Sequence, residues 1–378
     1  MSKKNATKFT LLRAMAALGI ALLVAFVLII LSSTEPTIGG KFANAMSAMR
    51  QVIVTPLFRN NGSFNTKSFC DILAGMIPIM FTGLATCVMF SADQFNLGAE
   101  GGIMLGAFIT SLVAVYVPMK GALLPIVAIL AGALVTAAVM FIPAILKARL
   151  GVSEMVCSLM LNYIIQYLIN YSMNTYYADT SKGSIQTFPY QANAHLPQLV
   201  NNGSRLSIGF IIAIICVILV WLFMYRTKWG YAIRMCGINQ PFAMYSGLNV
   251  AATIILCQVL GGVLAGAGGG IETLGRYDYY NWSALPGYGW TGITVAILAG
   301  NNPASVPLAA FFMSYLTKGC SLMATYANVP AQLIDIIQGC IFLFFAADHF
   351  LAGYRQKLVV RSAQEEMQAK VQAEGGNK

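Results

Sequence analysis

The chain has 378 residues, of which 58% are hydrophobic and only 10% charged, with a mean hydropathy of +0.70. Soluble globular domains carry about 25% charged residues, so an ordinary soluble enzyme and a disordered polymer are both excluded, leaving a polytopic membrane protein. The 23 Lys and Arg against 13 Asp and Glu give a net charge of +10; because these cations separate apolar runs, they read as loop anchors and not as a nucleic-acid surface.

Each crossing takes about 20 apolar residues, so the length holds about ten spans and no separate soluble catalytic domain. The apolar runs cover 11–31, 71–92, 99–118, 122–146, 153–173, 206–225, 251–270, 289–301, 304–320 and 331–350. The first follows Lys3, Lys4, Lys8 and Arg13 and lacks a small-residue cleavage site, so it reads as an uncleaved helix. The run at 289–301 is too short to cross alone at about 1.5 Å per residue. It reads as a half-helix ended by Asn301-Asn302-Pro303.

With the N-terminus inside, 14 Lys and Arg face the cytoplasm and 9 the outside, so both termini are expected to be cytoplasmic. The clearest internal groups are Lys147 with Arg149, and Arg226, Lys228 and Arg234. Three segments lie outside the hydrocarbon: 32–70 and 174–205 externally, the former with an interfacial helix, and a charged tail over 351–378.

Four segments carry candidate chemistry, because broken or polar stretches in hydrocarbon are functional candidates by default. Residues 91–108 hold Asp93, Gln94, Asn96 and Glu100, with Gly98, Gly102 and Gly106 at four-residue spacing. Part of this stretch is expected to be unwound and to line a solute path, with Phe95 offering an aromatic face; a cytoplasmic turn followed by a tightly packed helix is the alternative. In 151–170, Glu154, Ser158, Asn162 and Gln166 share one helical stripe. That stripe faces either a cavity or a hydrogen-bonding partner helix.

Residues 287–303, with Trp290, are short and Gly-interrupted like 91–108, as expected of matching elements in two pseudo-repeated halves. Their neighbour 261–275 has Gly262, Gly266 and Gly270 at helix-packing spacing. The longest internal loop, 226–250, contains a short amphipathic piece in which Asn239 caps, Pro241 opens the first turn, and Phe242 and Tyr245 are wasted on solvent unless a protein partner covers them.

There is no Walker A pattern and no HExxH, and the two histidines, His195 and His349, lie far apart. Neither a catalytic site, a metal site nor a bound cofactor is expected. Cys87, Cys157, Cys216, Cys257 and Cys340 lie in apolar runs and no CxxC occurs, so they read as small core residues.

The segments FNLGAEGGIMLGAF, GVSEMVCSLMLNYI, WGYAIRMCGINQPFAMYSGLNV and GYGWTGITVAILAGNNP resemble, in order and spacing, the membrane permeases of bacterial ABC importers. The superfamily includes ribose and branched-chain amino-acid permeases. Absence of a GGIDLSVG-like or NLAHG-like stretch at QFNLGAEG favours the nucleoside branch, which is paired with basic-membrane-protein-type lipoprotein receptors. The resemblance covers about 70–350; the long external segment 32–70, and Gly102 where relatives often have Gln, depart from it.

The resemblance implies an all-α permease domain over 1–350 in a bacterial inner membrane. Its partners would be ATP-binding subunits carrying ATP and Mg, a second permease, a substrate-binding lipoprotein and a small-molecule substrate, with no nucleic acid. It makes 239–247 the segment that docks on the ATPase. The polar and aromatic residues Gln94, Phe95, Asn96 and Glu100, with Asn162 and Trp290 behind them, are expected on their chemistry to line the path. Competing expectations are a ribose-type sugar permease, a proton-coupled transporter using Glu100 or Glu154, and a membrane scaffold.

Overall fold

The computed structural model describes residues 37–326 apart from 59–61, 120, 180 and 201–202, together with 19–20, 23–24, 26–31, 336 and 339. Residues 26–31, from the expected first span, are helical; the expected last span 331–350 and the tail 351–378 lie, but for 336 and 339, outside the described residues. The described helices are α1 (Ile38–Ile53), α2 (Thr66–Phe90), α3 (Ala99–Tyr116), α4 (Leu123–Leu150) and α5 (Glu154–Ser172). Then come α6 (Gly209–Arg226), α7 (Lys228–Ile238), α8 (Gln240–Tyr245), α9 (Val250–Arg276), α10 (Tyr288–Leu298) and α11 (Val306–Tyr326). Among the described residues no named strand forms; there are two isolated bridges.

Six helices among the described residues are long and apolar enough to cross a membrane: α2, α3, α4, α6, α9, and α11 with its preceding turn. The helix α5 has the length but carries the polar stripe, and α10 has 11 residues. Several boundaries outrun the apolar runs because polar residues continue the helix. Asn65 caps α2, accepting from the Ser68 N–H at 3.3 Å, so α2 starts before the apolar run does. At its other end α9 reaches Arg276 because Glu272 and Arg276 pair across one turn at 3.2 Å.

The chain forms two compact units, residues 1–55 with 319–378, and residues 56–318. In the first, α1 is capped by Thr37, and Gly319 lies so close to the Val52 backbone that a side chain there has no room. In the second, α9 packs against α4, α3 and α2, and α10 against α2 and α3.

Small residues allow this packing. A Cβ at Gly106 on α3 would enter the backbone of Gly266 on α9, and one at Gly269 would meet the Ile103 carbonyl. Gly262 faces Met140 and Gly266 faces Thr136 on α4. The glycine spacings read from the sequence are therefore three-helix contacts, in which van der Waals packing replaces the hydrophobic drive that lipid removes.

Candidate functional site

Between α2 and α3 the chain leaves helical conformation for eight residues, Ser91–Gly98. Asp93 takes a left-handed φ of 55°, and residues 94–97 run without regular structure. Backbone groups at such a break must be satisfied within the protein. Side chains of α5 do this. Glu154 accepts from the Phe95 N–H at 3.1 Å, and Ser158 from the Leu97 N–H at 2.9 Å. Asn162 accepts from the Gly101 N–H at 2.9 Å and donates to the Leu97 carbonyl at 3.0 Å. The four-residue stripe is thus a hydrogen-bond seam that holds the break.

The break is also closed from within. Asn96 accepts from the Gly98 N–H at 2.7 Å and donates to Gln258 of α9 at 2.8 Å. Gln94 donates to the carbonyls of Ala92 and Asp93. Glu154 forms an ion pair with Lys147 at 2.8 Å, so this lysine does more than set orientation.

Glu100 links the two interrupted segments. It lies in the first turn of α3, and its carboxylate accepts from the N–H groups of Gly287, Gly289 and Trp290 at 2.5, 2.5 and 3.3 Å. These N–H groups open α10. One carboxylate therefore sits at the positive ends of two helices, its own and the facing one.

The glycines of GYGW permit the approach. Gly287 has φ 82°, and a Cβ on Gly289 would lie 2.5 Å from the Glu100 backbone. Thr82 of α2 adds a hydrogen bond to the Tyr288 carbonyl at 2.8 Å. Further along the α5 stripe, Asn170 donates to the Ser283 carbonyl at 2.8 Å, with Gln166 at 3.5 Å. Beyond α10, Gly300 and Asn301 are left-handed, and Asn302 caps a short turn starting at Pro303, as the Asn-Asn-Pro break requires.

Gln94, Asn96, Glu100 and Asn162 are thus buried and engaged within the chain, whereas Phe95 and Trp290 are 49% and 43% exposed. Phe95 stacks on Phe90 at 4.4 Å. All six residues belong to one connected region. The contributions of Gln258 and Thr82 are new: Gln258 is a lone amide in an apolar run, and Thr82 and Thr86 carry hydroxyls that a helix can satisfy on its own carbonyls, so neither marks a contact in the sequence.

At one edge of this region, α7 places Gly237 against the Ser91 carbonyl, closely enough to exclude a side chain. Next along the chain, Asn239 caps α8, accepting from the Phe242 N–H at 2.9 Å, with Pro241 in the first turn. Ala243 is buried, while Phe242, Met244 and Tyr245 are exposed, Tyr245 by 86%.

At the other end of α9, His195, Gln198, Arg205, Arg276 and Asp278 line a cavity of about 260 Å³. There Arg205 bonds the Arg276 carbonyl and pairs with Asp278 at 3.3 Å, and Tyr288 donates to Glu272 at 3.3 Å.

A family model described as the branched-chain amino acid transport system / permease component matches residues 68–346. The chain is 32% identical over 312 residues to the guanosine ABC transporter permease protein of Bacillus subtilis, covering 80% of this chain and 88% of that one. It is 32% identical over 299 residues to the glucose ABC transporter permease protein of Haloferax volcanii, covering 75% and 77%. It is 31% identical over 292 residues to a nucleoside ABC transporter permease protein of Lactococcus lactis, covering 75% and 80%. No solved structure matches the chain.

Proposed function

The chain belongs to the family of permease components of branched-chain amino acid transport systems, and on that footing we propose that it is the permease subunit of an ATP-driven nucleoside importer. The observation that carries this is its similarity to guanosine and nucleoside permeases over three quarters or more of its length. A sugar is the second reading, because the glucose permease is equally similar. A proton-coupled carrier is disfavoured: Glu100 is held by three backbone N–H groups and Glu154 by Lys147, which leaves neither carboxylate free to shuttle.

The full topology in this reading has about ten spans in one domain over 1–350, with two pseudo-repeated halves whose matching interrupted segments are 91–108 and 287–303. Segments 32–70 and 174–205 lie outside; loop 226–250, both termini and the tail 351–378 are cytoplasmic. The site is a bacterial inner membrane.

The chain performs no covalent chemistry and holds no cofactor. ATP and Mg belong to partner ATP-binding subunits, the solute is delivered by an extracytoplasmic lipoprotein, and a second permease completes the path. Gln94, Asn96, Glu100 and Asn162 hold the path's wall in shape, and Phe95 and Trp290 face the solute. Asn239, Pro241, Phe242 and Tyr245 form the ATPase contact. Its movement reaches the wall through Gly237 against Ser91.

The coupling is tested with Phe242→Asp combined with Tyr245→Asp. Both side chains are exposed, so the fold should tolerate the change. Buried aromatic anchors carry on the order of 2 kcal/mol or more each at interfaces. We expect at least a tenfold loss of ATP-driven uptake and of ATPase co-purification, with membrane insertion unchanged. Uptake at the unaltered rate would contradict this assignment.

A further inference from the structure

The helix α5 has two unlike faces. Glu154, Ser158 and Asn162 are buried and clasp the broken segment, and Ile165 and Ile169 are buried further along against Met104, Leu105 and Phe108 of α3. On the opposite side Tyr163, Tyr167 and Tyr171 recur every four residues and are 48%, 69% and 63% exposed. Their hydroxyls find no hydrogen-bond partner among the described residues.

Lipid is a poor environment for this stripe. Membrane tyrosines concentrate at the two interfaces, where the hydroxyl meets water. At about 1.5 Å per residue, Tyr163 stands roughly 13 Å along a helix of roughly 28 Å, near its middle. A phenol there would place an unsatisfied hydroxyl in hydrocarbon, which is costly. The tyrosines share this side with Val156, Met160, Ile164 and Leu168, whereas the exposed face of α6 offers Ile211, Ile215, Ile218, Leu219 and Leu222 and no tyrosine before Tyr225 at its end.

We propose that Tyr163, Tyr167 and Tyr171 form the wall along which the nucleoside moves. This rests on the nucleoside-import reading and adds where the solute touches the chain. A nucleoside has a flat aromatic base and a ribose with hydroxyls. Each tyrosine offers a ring face to stack on and a hydroxyl to donate or accept. Rings four residues apart rise about 6 Å, so a base leaving one ring comes within reach of the next. The ladder continues at its end: Tyr171 meets Tyr176 edge-on at 6.3 Å, and Tyr176 meets Tyr177 at 6.3 Å. Because the opposite face of α5 is bonded to residues 95–101, the wall is rigid and shares the movement of the break.

The test uses the complete transporter in membranes. Tyr167→Cys is treated with a charged, membrane-impermeant thiol reagent, with Leu219→Cys on α6 as the lipid-facing control and the unaltered chain as background. We expect Tyr167→Cys to react, saturating guanosine to slow the reaction at least fivefold, and Leu219→Cys to stay unreacted. A residue covered by lipid or by a second permease would not react, and no reaction, or reaction that guanosine does not slow, overturns the proposal. In parallel, Tyr163→Leu with Tyr167→Leu should lower guanosine uptake at least tenfold while the complex assembles normally. The Phe pair, which keeps the rings, should lose less. Full uptake by the Leu pair overturns the proposal. Guanosine uptake by the unaltered transporter is read in the same assay, so failure of the import reading is seen separately.

Discussion

Glu100→Leu is expected to lower uptake by the assembled transporter at least tenfold and to lower the melting temperature of the purified chain by several degrees. The carboxylate joins α3 to α10 by accepting three backbone N–H groups. Leucine has similar bulk and accepts nothing. A buried donor left without a partner costs about 1–3 kcal/mol, and losing a helix cap about 0.5–2 kcal/mol. Removing a buried charge recovers part of its desolvation cost, so a net loss of about 2–4 kcal/mol is reasonable from these contributions.

Glu100→Gln keeps one acceptor but points an amide N–H₂ toward a backbone donor, so it should fall between Leu and the native residue. Thermal unfolding and uptake of the three forms check the order. A Leu variant with native stability and uptake would show that α10 docks without this carboxylate.

A second substitution should abolish the fold. Gly106→Val places a branched side chain where the backbone of Gly266 already lies. Overpacking typically costs about 1–3 kcal/mol, more when the surroundings cannot yield. Here the obstacle is main chain of α9, and on the other side α4 comes so near that a Cβ on Gly132 would meet the Gly106 carbonyl, so α3 has little room to shift away. Size-exclusion chromatography should show aggregate in place of a monodisperse peak, with at least a tenfold fall in folded yield. Gly39→Ala is the matching control: nothing lies within 4 Å of its added methyl, and an exposed helix position should gain roughly 0.5–1 kcal/mol. A monodisperse Gly106→Val protein would contradict the observed approach of α3 to α9.

Much of the helical arrangement is legible from the letters alone, for specific reasons. The breaks at 91–98 and 299–303 announce themselves because Gly, Asn, Asp and Pro tolerate the backbone angles they need. The Asn239 cap follows from one side chain and the next three residues. The stripe of Glu154, Ser158 and Asn162 is visible as spacing.

What the stripe binds is not visible, because its partners are backbone N–H and C=O groups, which no residue type marks. For the same reason Glu100 reads in the sequence as a path-lining anion. Its actual partners lie 187 to 190 positions away and are again main chain. Gln94, Asn96 and Asn162 share that fate: polarity in an apolar run signals importance, but not whether the group faces a solute or holds the wall. The tyrosine stripe is as regular as the polar one, yet its significance depends on knowing which face of α5 the rest of the chain covers.

In the proposed reading this permease carries nucleosides at the expense of ATP. Uptake of radiolabelled guanosine into vesicles containing the permease with the ATP-binding subunits and lipoprotein receptor proposed for it is the test, with unlabelled leucine, ribose and glucose as competitors. Accumulation that requires ATP and that excess leucine, ribose or glucose leaves unchanged is the expected result. Accumulation without ATP, or uptake of glucose or leucine with none of guanosine, would contradict it.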